Sequence, residues 1–167
     1  MSLRRTALVR RTELRRTPLQ RKTPMRRAAK ALRAQVAKGR KDTGPTREQR
    51  VVVFDRALGC CEICATPVIC HELDRWLPIQ SYSIHHRAAR GMGGRKVEWI
   101  NSPANLLLLC GTGTTGCHGH VESSRAEAYR NGWLVRASAD PAEVPVLLAG
   151  SDRYLLTDDG DRIEVAA

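Results

Sequence analysis

The chain has 167 residues, enough for one modest domain and a tail but too few for two full hydrophobic cores. Its net charge of +11 is uneven: residues 1–41 hold 15 Lys or Arg and one acid, a net +14, whereas the other residues hold 13 Lys or Arg and 16 acids, a net −3. No apolar run reaches the roughly 18–20 residues of a membrane span, and the N-terminus lacks the apolar core of a secretory signal. We therefore expect a cytoplasmic protein without a membrane partner.

The first 41 residues repeat a basic-basic-Thr-x-apolar unit four times. The copies are five or six residues apart, which matches no helical period, and their low apolar content and self-repulsion predict disorder. Residues 25–38 are predicted to form a marginal helix. The arginine pairs suit DNA phosphates, and these are Arg4, Arg5, Arg10, Arg11, Arg15 and Arg16. An organellar presequence is the alternative for such an Arg-rich, acid-poor segment.

The folded domain is predicted to begin at Thr46, because Thr46 and Gln49 have the spacing of a helix capping box and apolar residues follow on one helix face. The later predicted elements are an irregular stretch from 68 that runs into a strand at 83–85, a glycine loop over 91–94, a buried strand over 105–110, a helix over 117–130, and short strands over 133–136, 144–148, 154–157 and 163–165. This order predicts an α+β fold.

Three segments follow from this order. They are a basic DNA-binding tail over 1–41, a main domain over 46–135, and a C-terminal β-hairpin extension over 136–167 whose last turn lies at 158–161.

Four of the six cysteines have spacings typical of a structural zinc site. The two pairs are Cys61-x2-Cys64 and Cys110-x6-Cys117. The second spacing is longer than the usual x2, but its glycine- and threonine-rich filler can loop out without moving either thiolate. Ordinary buried cysteines are the alternative, and disulfides would need a secretory route that the sequence does not indicate.

Three residues of similar chemistry are left over. Cys60 competes with Cys61 for the first ligand position, although Cys61 has the better spacing. Cys70 and His71 are expected to be a buried small residue and a surface histidine, with a second metal site as the alternative.

A histidine set is interleaved with the two cysteine pairs. His85 and His86 are adjacent, Asn105 precedes the apolar run, and His118 follows Cys117. Neighbouring residues on a strand point to opposite faces, so one histidine is expected to bind an ion and the other to act as a general base. A neutral imidazole near physiological pH suits the base.

This ordered set resembles the HNH endonucleases, which have a ββα-metal fold with a zinc knuckle. The segments HHRAARGMGG (85–94) and SPANLLLLCGTGTTGCHGHV (102–121) are similar to the forms carried by bacteriophages, and the resemblance covers about residues 55–135. It implies a metal-dependent DNA endonuclease in the host cytoplasm, with DNA and phage packaging proteins as partners and no small-molecule cofactor.

The resemblance also implies residue roles. His85 and His118 would hold a catalytic divalent ion, His86 would activate water, and Asn105 would fix the loop and orient the base. Some family members have another histidine one helical turn after His118, where this chain has Glu122. Residues i and i+4 share a helix face, so Glu122 is a candidate third ligand that would favour Mg²⁺ or Mn²⁺.

Arg87 and Arg90 are candidate phosphate contacts, and His120 is expected to point away from the ion. The alternative function is a zinc-stabilised DNA-binding or packaging-accessory module that does not cleave. The presence of both adjacent histidines with Asn105 and His118 counts against it, because binding alone would not need that set.

Overall fold

The structure is a computed structural model that describes residues 43–91, 97–150 and 152–165. The basic tail, the predicted helix over 25–38 and most of the glycine loop lie outside the described residues. The described residues all belong to one compact unit over 43–167, so the main domain and the C-terminal extension expected from the sequence share one body.

The described residues form a mixed α+β domain with small antiparallel sheets, as the predicted α+β class requires. The helices are α1 (Arg47–Arg56), α2 (Gly116–Ser123) and α3 (Arg125–Arg130). The strands are β1 (Ile69–Glu72), β2 (Arg75–Pro78), β3 (Tyr82–His86), β4 (Leu106–Cys110), β5 (Val146–Leu148), β6 (Asp152–Leu156) and β7 (Arg162–Val165). Short 3-10 turns cover Glu98–Asn101, Pro103–Asn105 and Pro141–Glu143.

Helix α1 begins at the predicted capping box. Thr46 Oγ1 accepts a hydrogen bond from the Gln49 N–H at 3.3 Å, and Gln49 Oε1 accepts one from the Thr46 N–H at 2.8 Å. These two bonds satisfy backbone donors that the first helical turn leaves unpaired. Val53 and Phe54 are buried on the inner face of the helix.

Strands β3 and β4 form an antiparallel pair at the centre of the domain. His85 is opposite Leu107 and His86 is opposite Leu106, and residues 106–109 are all leucines without solvent exposure. A strand that is apolar on both faces must be covered on both. Helix α2 follows and packs against β4. The predicted buried strand is thus confirmed, and on its partner strand β3 His85 is buried and His86 half-buried.

Strands β1 and β2 form a hairpin within the stretch from residue 68 that was predicted to be irregular, so that prediction was wrong. Its two-residue turn places Leu73 at φ 47° and Asp74 at φ 57°. The hairpin lies against Gly59, where a Cβ atom would stand 2.4 Å from the Ile69 carbonyl oxygen. Gly59 itself has a φ of 73°, which favours glycine for a second reason.

The helix predicted over 117–130 is two helices, because Ser124 leaves the helical region at φ −110° and ψ 52°. Residues 133–136 form no strand, although Val135 makes a single bridge to Ala88. The last three strands form one sheet in the order β5-β6-β7, and the turn at 158–161 joins β6 to β7 as predicted.

A buried ionic network ties the first cysteine pair to the rest of the domain. Arg56 donates to both oxygens of Glu62, Nε to Oε1 at 2.9 Å and an Nη to Oε2 at 3.0 Å. Glu62 also accepts from the Leu108 N–H at 2.9 Å and from Arg162 at 3.3 Å. Both side chains of the central pair are almost fully buried. The turn of Cys61 and Cys64 is therefore anchored to α1, β4 and β7.

Among the residues that the structure describes, no helix has both the length and the apolar character needed to cross a bilayer.

Candidate metal centres

The four cysteines named from their spacing meet at one point. One sulfur from each of Cys61, Cys64, Cys110 and Cys117 lies within 4.8 Å of the others. The Sγ atoms of Cys64 and Cys110 are 3.8 Å apart, which is about the separation of two thiolates bound to a tetrahedral zinc at ~2.3 Å. The set could therefore hold a metal such as zinc.

The long spacing of the second pair is absorbed by a loop that closes on itself. Gly111 has a φ of 83° and Gly116 a φ of 61°, both in the left-handed region. A Cβ atom on Gly116 would stand 2.6 Å from the Cys110 carbonyl oxygen. The Cys117 N–H donates to Cys110 Sγ at 3.3 Å. The six intervening residues thus leave the two thiols adjacent.

The thiol pKa values show why a cation suits this cluster. Burial raises the pKa of Cys61, and burial together with the nearby Cys61 charge raises the pKa of Cys117. At Cys64 burial acts upward as well, but hydrogen bonds from Thr66 and neighbouring thiols outweigh it and lower the pKa to about 6. The buried thiols resist ionisation unless a positive charge compensates them.

The leftover thiols are elsewhere. Cys60 Sγ lies 3.7 Å from the Leu58 carbonyl oxygen, and Cys70 Sγ lies 3.7 Å from that of Leu77. Neither is part of the four-sulfur cluster.

A second cluster joins β3 to α2. One ligand atom each from His85, His118 and Glu122 lies within 4.8 Å of the others. Glu122 Oε1 is 4.0 Å from His85 Nδ1 and 3.9 Å from His118 Nε2, and the two imidazole centroids are 5.1 Å apart. These separations exceed hydrogen-bond length, so they leave room for an ion between nitrogen and oxygen donors.

His85 is oriented toward this point by a backbone carbonyl. Its Nε2 lies 3.1 Å from the Trp133 carbonyl oxygen. A carbonyl can only accept, so Nε2 carries the proton and the Nδ1 lone pair faces Glu122. Burial and the neighbouring His118 lower the pKa of His85 to about 3, which keeps the ring neutral. The sequence alone did not indicate Trp133 as the partner.

His118 carries the clearest sign of a missing partner. Its Nδ1 is buried and has no hydrogen-bond partner among the described residues. Burial lowers its pKa, although Glu122 acts in the opposite direction. The nitrogen that faces Glu122 is Nε2, 3.9 Å from Oε1, so the unpaired Nδ1 is not the atom that would bind an ion. The second ring nitrogen of a metal-bound histidine normally bonds to a carbonyl, a carboxylate or a water. Two neutral imidazoles and a carboxylate fit a divalent ion.

His86 points to a different set of partners. Its Nε2 lies 3.0 Å from Asn101 Oδ1, while the Asn101 amide nitrogen donates to the carbonyl oxygens of Thr43 at 3.1 Å and Gly44 at 3.2 Å. The two carbonyls can only accept hydrogen bonds, so the Asn101 amide nitrogen faces them and its oxygen faces the imidazole. That oxygen is an acceptor as well, so His86 carries its proton on Nε2. Burial and the charge of Arg90 lower the pKa of His86, and the hydrogen bond to Asn101 opposes this. Sequence reasoning missed Asn101.

Asn105 closes the loop between β3 and β4. Its Oδ1 accepts from the Ala88 N–H at 2.7 Å, and its Nδ2 donates to the Ile100 carbonyl at 2.8 Å. The side chain is fully buried. Asn105 therefore holds together the two ends of a loop that carries Asn101. Neither its Oδ1 nor its Nδ2 forms a hydrogen bond with His86.

Arg87 is not a phosphate contact, contrary to the prediction. It is 0% exposed, and its guanidinium donates to four backbone carbonyls, those of Ala104, Gly132, Pro141 and Val144. A side chain so enclosed cannot reach a ligand in solvent.

The other two predicted positions remain at the surface. Arg90 is half-buried and donates to the Thr43 hydroxyl. His120 lies outside the His85 cluster, with Nε2 3.1 Å from Glu127 Oε2, as expected for a residue that points elsewhere.

No family model matches this chain, and comparison with curated proteins and with solved structures found no match.

Proposed function

We propose that this protein is a metal-dependent endonuclease that hydrolyses phosphodiester bonds in DNA. The observation that carries the proposal is the adjacency of two differently used histidines. His85 turns Nδ1 toward His118 and Glu122, while the next residue, His86, is bound to Asn101 instead. Hydrolysis of a phosphodiester needs a metal-ligand set and a separate neutral base beside it.

The metal ligands, the base and the positioning residues would have separate roles. His85, His118 and Glu122 would hold a Mg²⁺ or Mn²⁺ ion, which supplies stabilisation for charge developing on the phosphate. His86, protonated on Nε2, has its Nδ1 lone pair to accept a proton from the attacking water. Asn101 and Asn105 are positioning residues, the first for the imidazole and the second for the loop. The four cysteines would hold a structural zinc ion.

The tail supplies the electrostatic part of the proposal. Residues 1–41 carry a net +14 and the remainder a net −3, so contact with DNA phosphates falls mainly to the tail arginines, with Arg90 as the candidate in the domain. Phosphate contacts carry no sequence information, which favours weak intrinsic specificity. A phage origin, a cytoplasmic location and an association with packaging proteins are part of the same proposal and rest on the resemblance to HNH endonucleases.

The test is cleavage of supercoiled plasmid by the full-length protein with Mg²⁺ or Mn²⁺, and with EDTA. We expect nicked or linear product only with the metal. His86→Ala should lower the rate by about 10²–10⁴-fold, the usual contribution of a general base. His118→Ala should instead raise the metal concentration needed for cleavage.

His120→Ala is the matched control. It lies on the same helix as His118 and pairs with Glu127 outside the cluster, so its cleavage rate should equal that of the wild type. Wild-type protein that binds DNA without cutting it under any metal would contradict the proposal and favour the alternative, a zinc-stabilised binding module.

A further inference from the structure

A cavity of about 380 Å³ opens between α1 and the β1–β2 hairpin, apart from both metal centres. Its volume falls in the range of ~300–1,000 Å³ typical of small-molecule sites. Three arginines line it, Arg47 and Arg50 from α1 and Arg75 from β2, together with the indole of Trp76. Arg47 and Arg50 are one helical turn apart and so share a face.

None of the three guanidinium groups forms an ion pair with a described residue, although Arg50 Nε donates to the Pro45 carbonyl at 3.1 Å. The arginines that form ion pairs among the described residues are Arg56, Arg125 and Arg162, none of which lines the cavity. Asp55 and Asp74 also line it, yet neither forms an ion pair there. Three arginines against two carboxylates leave the lining with a net charge of +1, which favours an anion, and the guanidinium fork matches phosphate.

Trp76 is held as a fixed aromatic wall. Its ring centroid lies 5.9 Å from that of Phe54 at an interplanar angle of 64°, and 4.9 Å from that of His71. Its Cζ3 atom would stand 3.0 Å from a Cβ atom at Gly59, so the absence of that side chain lets the indole lie close to the backbone. The ring is half-buried, and it therefore keeps exposed surface in the cavity.

We propose that this cavity binds one nucleotide, with its base against Trp76 and its phosphate among Arg47, Arg50 and Arg75. Sites for single-stranded nucleic acid combine a basic groove with aromatic side chains on which bases stack. Asp55 and Asp74 add acceptors for an amino or hydroxyl group of the nucleotide. The site is independent of cleavage and requires no metal.

The nucleotide could be free or part of a DNA strand, so the test has two arms. Thymidine 5′-monophosphate and a short oligothymidylate are titrated into the full-length protein without added divalent metal, with thymidine and inorganic phosphate as partial ligands. Binding is measured by calorimetry and by tryptophan fluorescence. We expect saturable binding that exceeds that of either partial ligand.

Single substitutions distinguish binding in the cavity from nonspecific attraction to the protein's positive charge. Arg47→Ala and Arg75→Ala should each weaken binding about tenfold, as expected for the loss of a charge-assisted hydrogen bond. Trp76→Phe should keep an aromatic wall but abolish the ligand-dependent fluorescence change, since Trp99 and Trp133 do not line the cavity. Arg130→Ala, an exposed arginine outside the cavity, is the matched control and should bind like the wild type.

Dependence on the cavity residues in the oligonucleotide arm alone would identify a strand as the ligand, and in the mononucleotide arm alone a free nucleotide. Binding that is absent, or that Arg130→Ala weakens as much as Arg75→Ala, overturns the inference. A protein that binds the nucleotide but cuts no plasmid would contradict the proposed function and leave this site standing.

Discussion

Asn101 offers a sharp test of how His86 is oriented. In Asn101→Ala the imidazole loses the acceptor 3.0 Å from Nε2, and the carbonyls of Thr43 and Gly44 lose their shared donor. The ring can then place its proton on Nδ1, the nitrogen that must be unprotonated to accept a proton from water. The change removes no metal ligand and no charge.

The size of the effect follows from one hydrogen bond. A neutral hydrogen bond contributes about 0.5–1.5 kcal/mol net, and each ~1.4 kcal/mol is a factor of ten in a population. The ratio of the Nε2–H to the Nδ1–H tautomer should therefore fall by about two- to tenfold, and the single-turnover cleavage rate by no more than this factor. This is far less than the ~10²–10⁴-fold loss expected for His86→Ala.

The assay is single-turnover cleavage of plasmid at saturating protein, together with ¹⁵N spectra of the His86 ring. We expect a lower maximal rate, an unchanged protein concentration at half-maximal rate, and a shift of the ring nitrogens toward the Nδ1–H form. Asn131→Ala, which removes a half-buried asparagine away from this loop, is the control. A wild-type rate with an unchanged tautomer would refute the assigned role.

Three further outcomes are expected. Cys64→Ser should lower the zinc content from about one ion per chain whereas Cys70→Ser should not, as measured by elemental analysis, and zinc-free folded wild type would contradict the site. Glu62→Ala should cost about 3–5 kcal/mol in denaturant unfolding, since Arg56 stays buried without its carboxylate, while the exposed Glu164→Ala should cost almost nothing. The folded pKa of His85, about 3, lies below its ordinary value of 6.5, so its contribution to the free energy of unfolding is fully present above pH ~6.5. Below that pH the free energy of unfolding should fall by about 1.4 kcal/mol per pH unit. A free energy of unfolding of the metal-free protein that stays constant from pH 6 to 4 would contradict this.

Local patterns in the sequence predicted the elements whose cause is local. The Thr46 cap forms hydrogen bonds within one helical turn. The four consecutive leucines of β4 make both faces of that strand apolar, whatever its neighbours are. The hairpin at 69–78 was missed because its turn uses Leu73 and Asp74 at positive φ. That conformation is common for Gly or Asn and rare for Leu, so no turn signal marks it.

Contacts between distant segments could not be predicted in the same way. Arg87 and Arg90 look alike in the sequence, yet one is enclosed by four carbonyls from loops that only the tertiary fold brings together. Asn101 meets Thr43 across 58 residues of chain. The cysteine and histidine sets were recognisable because ligand chemistry restricts both residue type and spacing. Second partners such as the Trp133 carbonyl carry no such restriction, since any residue can supply one.

The hydrogen bonds from Asn101 to Thr43 and Gly44 bear on where this protein can be shortened. A cut placed at the capping box, just before Thr46, looks natural because a helix starts there, but it would discard both carbonyls that hold the Asn101 amide in place. Such a truncated protein would keep every metal-ligating residue and His86 and could still cleave slowly. The low cleavage rate would then be wrongly attributed to the loss of the tail arginines. A boundary before Thr43 keeps the two effects separate. A comparison of the two truncated proteins would therefore distinguish what residues 1–41 contribute to affinity from what Thr43 and Gly44 contribute to the chemistry.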